Sequence, residues 1–222
     1  MDLANVPFPD PPDGCRDPEL WTLLAQFEFV RWMHQVHHEL LPDYERLCGA
    51  LVGNMERVVA ALDESEPLFR LRAAIFAIAQ YRQRVDLILR MLDDPEAYVR
   101  AKIAWLMFEI ADPRVEDRLV ELLLTDSDPE VRGSAGHGLA GQNPLSAIPL
   151  LIRALDTDHA ADQHGHTVSW LAASALDEMM GTEFMAERKG SLCTFPDSPP
   201  DPQSVREHAI AFLERLRREG CH

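Results

Sequence analysis

The sequence predicts an all-α fold, a right-handed α-solenoid of about five helical hairpins. Leucines at the ends of predicted helices recur at spacings of 30, 32 and 31 residues, at Leu62, Leu92, Leu124 and Leu155. An acidic turn follows each leucine, and three turns lead into an apolar residue and an arginine, Phe69-Arg70, Val99-Arg100 and Val131-Arg132. A fixed period of roughly 20 to 50 residues is typical of arrays whose units bury their apolar faces against their neighbours.

The chain is predicted to begin with an arm and two helices. Residues 1–17 carry four prolines, which remove backbone donors and oppose helix formation. This Pro-rich arm is expected to be extended or disordered, and either to pack across the first helices or to trail from them. Pro18 behind Asp17 begins the first helix. A second helix is expected to follow Pro42 and to end near Leu62.

Each repeat unit is expected to be a helix, a turn and a second helix. Breaks within two units fall at Asp112-Pro113 and at Asn143-Pro144, because the residue before a proline disfavours helix. Residues 18–222 are predicted to be a single repeat domain. A proline-containing loop at about 182–201 is expected to be an insertion, and a closing helix over 202–219 supplies the last second helix.

The repeated acidic turn, Val-Arg pair and small helical positions resemble the HEAT-like repeats of bacterial proteins, in the variant first associated with phycobilisome lyases. The resemblance runs from about Leu62 to Leu176 and is strongest from Leu92 to Leu155. In the last copy Ser169 stands where arginine is expected. The resemblance implies an α-solenoid and leaves the activity open, because HEAT-like arrays serve as scaffolds, inhibitors, lyase subunits and, rarely, enzymes.

Composition narrows the class of partner. The net charge is −16, from 37 acidic and 21 basic residues. Such a charge repels nucleic acid and anionic membranes and favours a basic protein partner. No segment reaches the ~18 consecutive apolar residues that span a bilayer, and no signal peptide is recognisable. Four scattered cysteines form no C-x-x-C motif, so a cytoplasmic protein with reduced thiols is expected.

The acidic turns are the first predicted partner-binding site. If successive units stack side by side, Asp94, Asp126 and Asp128 lie along one edge of the array and form a negative ridge. Aspartate at these positions can instead cap the following helix and pair with the repeat arginines. Both explanations are consistent with the sequence.

The second helix of a unit is the other predicted site, because this helix lines the concave face of HEAT-like arrays. Asp117 and Glu121 are one turn apart and are expected to project away from the core. They would suit a cationic partner. The alternative is a solvated face that Arg114 or Arg118 compensates.

A histidine-rich turn offers weak candidates for metal ligands, His159, His164 and His166. Their spacing fits no known ligand motif, so no cofactor is expected. Di-iron hydroxylases of this architecture place His-Glu pairs on successive repeats. Here His38-Glu39 lies outside the repeats, and Ile103-Ala104 occupies the centre of one of the clearest copies.

The sequence therefore predicts a non-catalytic, acidic protein-binding module, with an inhibitor or immunity-type protein for a basic partner as its specific form. Two alternatives stay open. One is a lyase-like or metal-dependent enzyme subunit, and the other is a structural adaptor in a larger assembly.

Overall fold

The computed structural model describes residue 3 and the ranges 6–33, 40–80, 85–110, 112–142, 145–163, 165–180 and 202–219. Across these ranges the chain is helical, and its one extended pairing is an isolated bridge between Ala161 and Thr167. The chain forms two compact units, Met1–Met91 and Leu92–His222.

The first unit contains the helices α1 (Pro18–Met33), α2 (Leu41–Val52), α3 (Met55–Ala61), α4 (Pro67–Gln80) and α5 (Val85–Leu92), the last residue of which opens the second unit. The second unit contains α6 (Ala97–Leu106), α7 (Pro113–Thr125), α8 (Pro129–Gln142), α9 (Ile148–Thr157), α10 (Val168–Met180) and α11 (Pro202–Glu219). Proline opens α1, α4, α7, α8 and α11, where its missing N–H has no helical partner to lose.

The arm packs across the first helices, which is the first of the two predicted alternatives. Phe8 meets the ring of Phe29 edge-on, with the ring centroids 5.7 Å apart. The indole N–H of Trp21 donates to the carbonyl oxygen of Pro9 at 3.0 Å. Asp17 caps α1 by accepting the N–H of Leu20 at 3.0 Å.

The single helix predicted between Pro42 and Leu62 is wrong, because α2 and α3 are separate helices. The chain leaves α2 at Gly53, a residue with a low intrinsic preference for helix. Asn54 then donates its side-chain amide to the carbonyl oxygen of Ala50 at 2.8 Å and restarts the chain into α3. The side chain of Asn54 therefore satisfies a carbonyl that a continuous helix would have paired.

In the second unit, successive helical pairs stack as the repeat predicts. Helix α8 packs against α6, α7 and α10, and α10 packs against α9 and α11. Arg206 of α11 donates Nε to both carboxylate oxygens of Asp156 of α9 at 3.0 Å, in an exposed ion pair between the two helices. The all-α class of stacked helical hairpins is confirmed.

Other sequence predictions concern residues outside the described ranges or stay untested. The break at Asn143-Pro144 and the loop 182–201 lie outside the described residues. Helix α11 covers the range predicted for the closing helix. The single repeat domain over 18–222 stays a prediction.

Close helix packing at α8 depends on glycine. A Cβ at Gly141 would overlap the backbone carbonyl of Phe108, and a Cβ at Gly138 would lie 2.5 Å from the carbonyl oxygen of Ala104. Both contacts are with backbone atoms of the preceding helical repeat, and backbone atoms cannot rotate away as a side chain can. These two positions therefore need glycine for close approach, although glycine lowers intrinsic helix stability.

Candidate functional site

The acidic turns of the second unit are joined by arginines. Arg100 donates Nε and Nη2 to the two carboxylate oxygens of Asp126 at 2.9 and 3.0 Å. Its Nη1 donates to the carbonyl oxygens of Asp94 and Pro95 at 2.8 and 3.1 Å. One guanidinium thus binds the turn before its own helix and the turn that follows one repeat later.

The next repeat has the same geometry. Arg132 donates Nε and Nη2 to Asp158 at 2.6 and 3.1 Å, and Nη1 to the carbonyl oxygens of Asp126 and Ser127 at 2.9 and 3.2 Å. In the first unit Arg70 likewise donates Nη1 to the carbonyl oxygens of Glu64 and Ser65. These interactions explain why arginine recurs at this position of the repeat.

The aspartates also fold the turns locally. Oδ1 of Asp94 accepts the N–H of Glu96 at 2.9 Å, and Oδ1 of Asp126 accepts the N–H of Asp128 at 2.9 Å. Asp128 in turn accepts the N–H of Glu130 at 2.8 Å and caps α8. The turn carboxylates therefore stabilise the fold as caps and as partners of arginine.

The pKa values of two turn carboxyls reflect these bonds. Burial alone would raise the pKa of Asp126, but Arg100 and the N–H of Asp128 hold it below the usual range. The pKa of Asp158 is lowered mainly by its hydrogen bonds from Arg132. Both carboxyls are therefore ionised at neutral pH and neutralised within the chain.

The predicted negative ridge stays a prediction, and the structure shows how deeply its three residues are buried. Asp94 is 3% exposed, and the side chain of Asp126 is 6% exposed. Asp128 is half-buried and capped onto α8. Backbone N–H groups donate to both carboxylates, and Arg100 donates to the carboxylate of Asp126 and to the backbone carbonyl oxygen of Asp94. These bonds favour the capping alternative for Asp94 and Asp126.

Helix α7 carries the other predicted residues. Asp112 caps it by accepting the N–H of Arg114 at 2.9 Å, while Val115, Leu119, Leu122 and Leu123 are buried on the inner side. Asp117 and Glu121 are exposed on the opposite side, as predicted. Arg118 pairs with Glu121 and with Asp93, each at 2.6 Å, so Glu121 is compensated. Asp117 has no ion pair with any residue of the described ranges.

Leu124 belongs to the same outer face and was missed by the sequence analysis. It is 43% exposed, although the repeat pattern marks it only as a helix-ending leucine. Its spacing of three residues from Glu121 and seven from Asp117 places all three on one side of the helix. That spacing was the available signal. Together Asp117, Glu121 and Leu124 form what we name the α7 face.

The histidine-rich turn is closed by its own residues. Gly165 has a φ of +84°, and Asp162 accepts the N–H of His166 at 2.9 Å while its Oδ2 lies 3.2 Å from Nδ1 of the same histidine. The ring of His166 stacks on Trp170 with centroids 4.9 Å apart. The bonds between Asp162 and His166 therefore stabilise the conformation of this turn.

The metal candidates do not come together in the described part of the chain. No group of three or more histidine, cysteine, aspartate or glutamate side chains there is placed to hold a metal ion. His159 is exposed, and His164, His38 and Glu39 lie outside the described residues. Cys15 and Cys48 are half-buried and form no disulfide, while Cys193 and Cys221 also lie outside the described residues.

Part of the chain is similar to a known repeat family. Residues 55–140 match the family described as HEAT repeats. The matched segment runs from α3 into α8 and includes both arginine-linked turns and the α7 face. No helix in the described part of the chain is long and apolar enough to cross a membrane.

A solved structure is similar to part of the chain. It is human deoxyhypusine hydroxylase in complex with glycerol, with 21% sequence identity and a TM-score of 0.43. The similarity covers 69% of this chain and 52% of that one, so the chain spans about half the length of that structure. A comparison with curated protein sequences finds no match.

Proposed function

We propose that this chain is a non-catalytic cytoplasmic HEAT-repeat module that binds a protein with a basic surface, in the manner of an inhibitor or immunity-type protein. The α7 face is the observation that carries the proposal. It combines an exposed carboxylate without an ion pair among the described residues, Asp117, with the exposed apolar side chain of Leu124. This pairing suits a lysine or arginine next to an apolar residue.

Long-range charge supports the same partner. The chain carries a net charge of −16, and the attraction of a basic protein to such a field raises its association rate. Asp94 and Asp126 are buried and bound internally, so exposed carboxylates such as Asp117 are better placed for direct contact. Glu121 is compensated only in part, because Arg118 shares its single charge between Glu121 and Asp93.

A defined probe tests the proposal. A helical peptide with one lysine-rich face and one leucine-rich face should bind the protein, as measured by fluorescence anisotropy. The same peptide with its lysines replaced by glutamates should not bind. We expect the affinity to fall at least about tenfold between roughly 0.05 and 0.5 M salt, because exposed charge pairs are screened. Binding that ignores salt contradicts the electrostatic part of the proposal.

Matched variants locate the binding surface. Asp117→Lys and Leu124→Asp should each weaken peptide binding, whereas Glu178→Lys, the same charge change at an exposed position of α10, should have little effect. If Glu178→Lys weakens binding as much as Asp117→Lys, the α7 face is not the site. Proteins captured from the native cell by the wild type and by Glu178→Lys, but lost with Asp117→Lys, are the expected partners.

A further inference from the structure

The N-terminal arm lies on α1 as an extended, proline-rich segment. Prolines at positions 7, 9, 11 and 12 fix their own backbone angles and hold the residues before them to extended or polyproline II conformations. Residues 7–12 accordingly contain no helix, turn or strand. Within this segment, the carbonyl oxygen of Pro9 accepts the indole N–H of Trp21 at 3.0 Å. Domains that recognise proline-rich peptides likewise hold polyproline II segments in aromatic-lined grooves.

Apolar side chains of the arm make the other contacts. Phe8 meets the ring of Phe29 edge-on, and Leu3 is buried in an apolar cluster that includes Val30. We name the surface of Trp21, Phe29 and Val30 on α1 the arm site. The site binds one backbone carbonyl oxygen and two apolar side chains. A different segment that carries the same groups can therefore make the same contacts.

The indole donor of the arm site is held by residues outside the arm. Phe69 of α4 meets the ring of Trp21 edge-on, with the centroids 5.5 Å apart, and the guanidinium carbon of Arg72 lies 4.6 Å from the centroid of that ring. Arg72 in turn donates Nε to Glu28 of α1 at 2.9 Å. The donor therefore keeps its orientation when the arm leaves, and a pre-organised site loses less entropy on binding a ligand.

A turn joins the arm to α1. The N–H of Cys15 donates to the carbonyl oxygen of Pro12 at 3.0 Å, and Gly14 has a φ of +81°, as the third residue of a type II turn requires. Behind the turn, Asp17 accepts Nε and Nη2 of Arg57 of α3 at 2.7 and 2.6 Å. These bonds fix the start of α1 without the arm, so release of the arm does not unwind the helix.

The charge of the arm is unfavourable for binding to this chain. Asp10 and Asp13 of the arm are both exposed, and the net charge of the chain is −16. A segment with lysine or arginine at these two positions would be attracted by the charge that repels the arm. Because both aspartates are exposed, this exchange removes no buried contact.

We propose that the arm site binds a proline-rich segment of a partner protein, with basic residues where the arm has Asp10 and Asp13. The arm occupies the site within its own chain until such a segment displaces it. The short connection gives the arm a high effective concentration. The apparent affinity for the partner's segment is therefore lowered by the fraction of chains whose arm is bound. The proposal does not rest on the α7 face, which belongs to the second unit.

A labelled peptide tests the proposal on the full chain by fluorescence anisotropy. It has the sequence of residues 3–13 with lysine in place of both aspartates. Gly14→Ala should raise the apparent affinity about fivefold or more, because alanine is strained at a φ of +81° and the turn releases the arm. No atom lies within 4 Å of the added methyl, so the substitution acts on the turn alone. Gly49→Ala is the matched control, since its methyl is equally uncrowded but lies within α2.

Two further changes test the contacts of the site. Phe8→Asp removes the ring of the arm from Phe29 and should also raise the apparent affinity for the peptide. In that variant, Trp21→Phe should weaken peptide binding about threefold to tenfold, through the loss of one hydrogen bond. Circular dichroism verifies that each variant keeps its helices. A peptide with alanine at all four proline positions should bind at least about tenfold more weakly, because its backbone is no longer pre-organised.

Three results would overturn the proposal. One is that Gly14→Ala and Phe8→Asp bind the peptide no better than the wild type and Gly49→Ala do. Another is that the alanine peptide binds as tightly as the proline peptide. The third is that the average mass of Gly14→Ala doubles with protein concentration in sedimentation equilibrium, which would assign the site to the arm of a second copy.

Discussion

At the scale of single residues, the repeat arginine is used for its shape as well as its charge. Arg132 places two nitrogens on the carboxylate of Asp158 and a third on two backbone carbonyl oxygens. Its side chain is 15% exposed, so these bonds are largely shielded from water. Lysine carries the same charge but has no planar group that reaches both partners.

Arg132→Lys is therefore expected to destabilise the fold by about 1 to 3 kcal/mol, because carbonyl and carboxylate groups lose their donors in a half-buried turn. The free energy of unfolding in urea measures this loss. Arg153→Lys is the matched control, since Arg153 is exposed on α9 and should change stability little. Equal effects of the two substitutions would show that the turn geometry contributes nothing.

The lowered pKa of Asp158 predicts how stability depends on pH. In the unfolded chain an aspartate titrates at about 3.9, and in the folded chain Asp158 titrates below that value. Its contribution to stability is fully present above the unfolded pKa and is lost as the pH falls through the folded pKa. Asp158→Asn should lower stability at neutral pH and flatten the loss below about pH 4. Urea unfolding of both proteins between neutral and acid pH provides the comparison, and parallel curves would contradict the assignment.

At the scale of helices, α8 shows that glycine has different consequences at different positions of one element. Gly141 faces the backbone of Phe108, whereas a Cβ at Gly136 would lie 3.4 Å from a methyl group of Leu151, an ordinary contact. The two glycines lie in the same helix. They differ in how closely the neighbouring helical repeat approaches them.

Gly141→Ala should destabilise the protein by about 1 to 3 kcal/mol, because the added methyl forces α8 away from the preceding unit. Gly136→Ala should instead stabilise it by up to about 1 kcal/mol through the higher helix preference of alanine. Thermal unfolding followed by circular dichroism distinguishes the two signs. If both substitutions stabilise, α8 is less closely packed than the structure has it.

The helices themselves were largely predictable, because period, proline and apolar spacing are local signals. The separation of α2 from α3 was not predictable from the sequence. It depends on a hydrogen bond from the side chain of Asn54 to a carbonyl oxygen of the preceding helix, and the sequence does not show that this bond forms. The role of Asp126 depends on Arg100, 26 residues earlier, and the same separation joins Arg132 to Asp158. This equal spacing is visible in the sequence, but only the stacked repeats show that each arginine contacts the aspartate 26 residues later.

At the scale of the whole molecule, the net charge of −16 opposes compaction because like charges lie closer together in the folded chain than in the unfolded one. The ion pairs in the turns act in the opposite direction. They are partly shielded, as the 15% and 6% exposed side chains of Arg100 and Asp126 illustrate, and shielded pairs are screened less by salt than exposed charges are. Salt should therefore remove more repulsion than attraction.

The melting temperature is accordingly expected to rise by several degrees between roughly 0.05 and 0.5 M sodium chloride, a change of about 1 kcal/mol in a protein of this size. Asp117→Lys reduces the negative charge by two units at an exposed position and should melt with a smaller salt response than the wild type. A melting temperature that falls with salt would mean that the arginine-linked turns outweigh the repulsion among the uncompensated carboxylates.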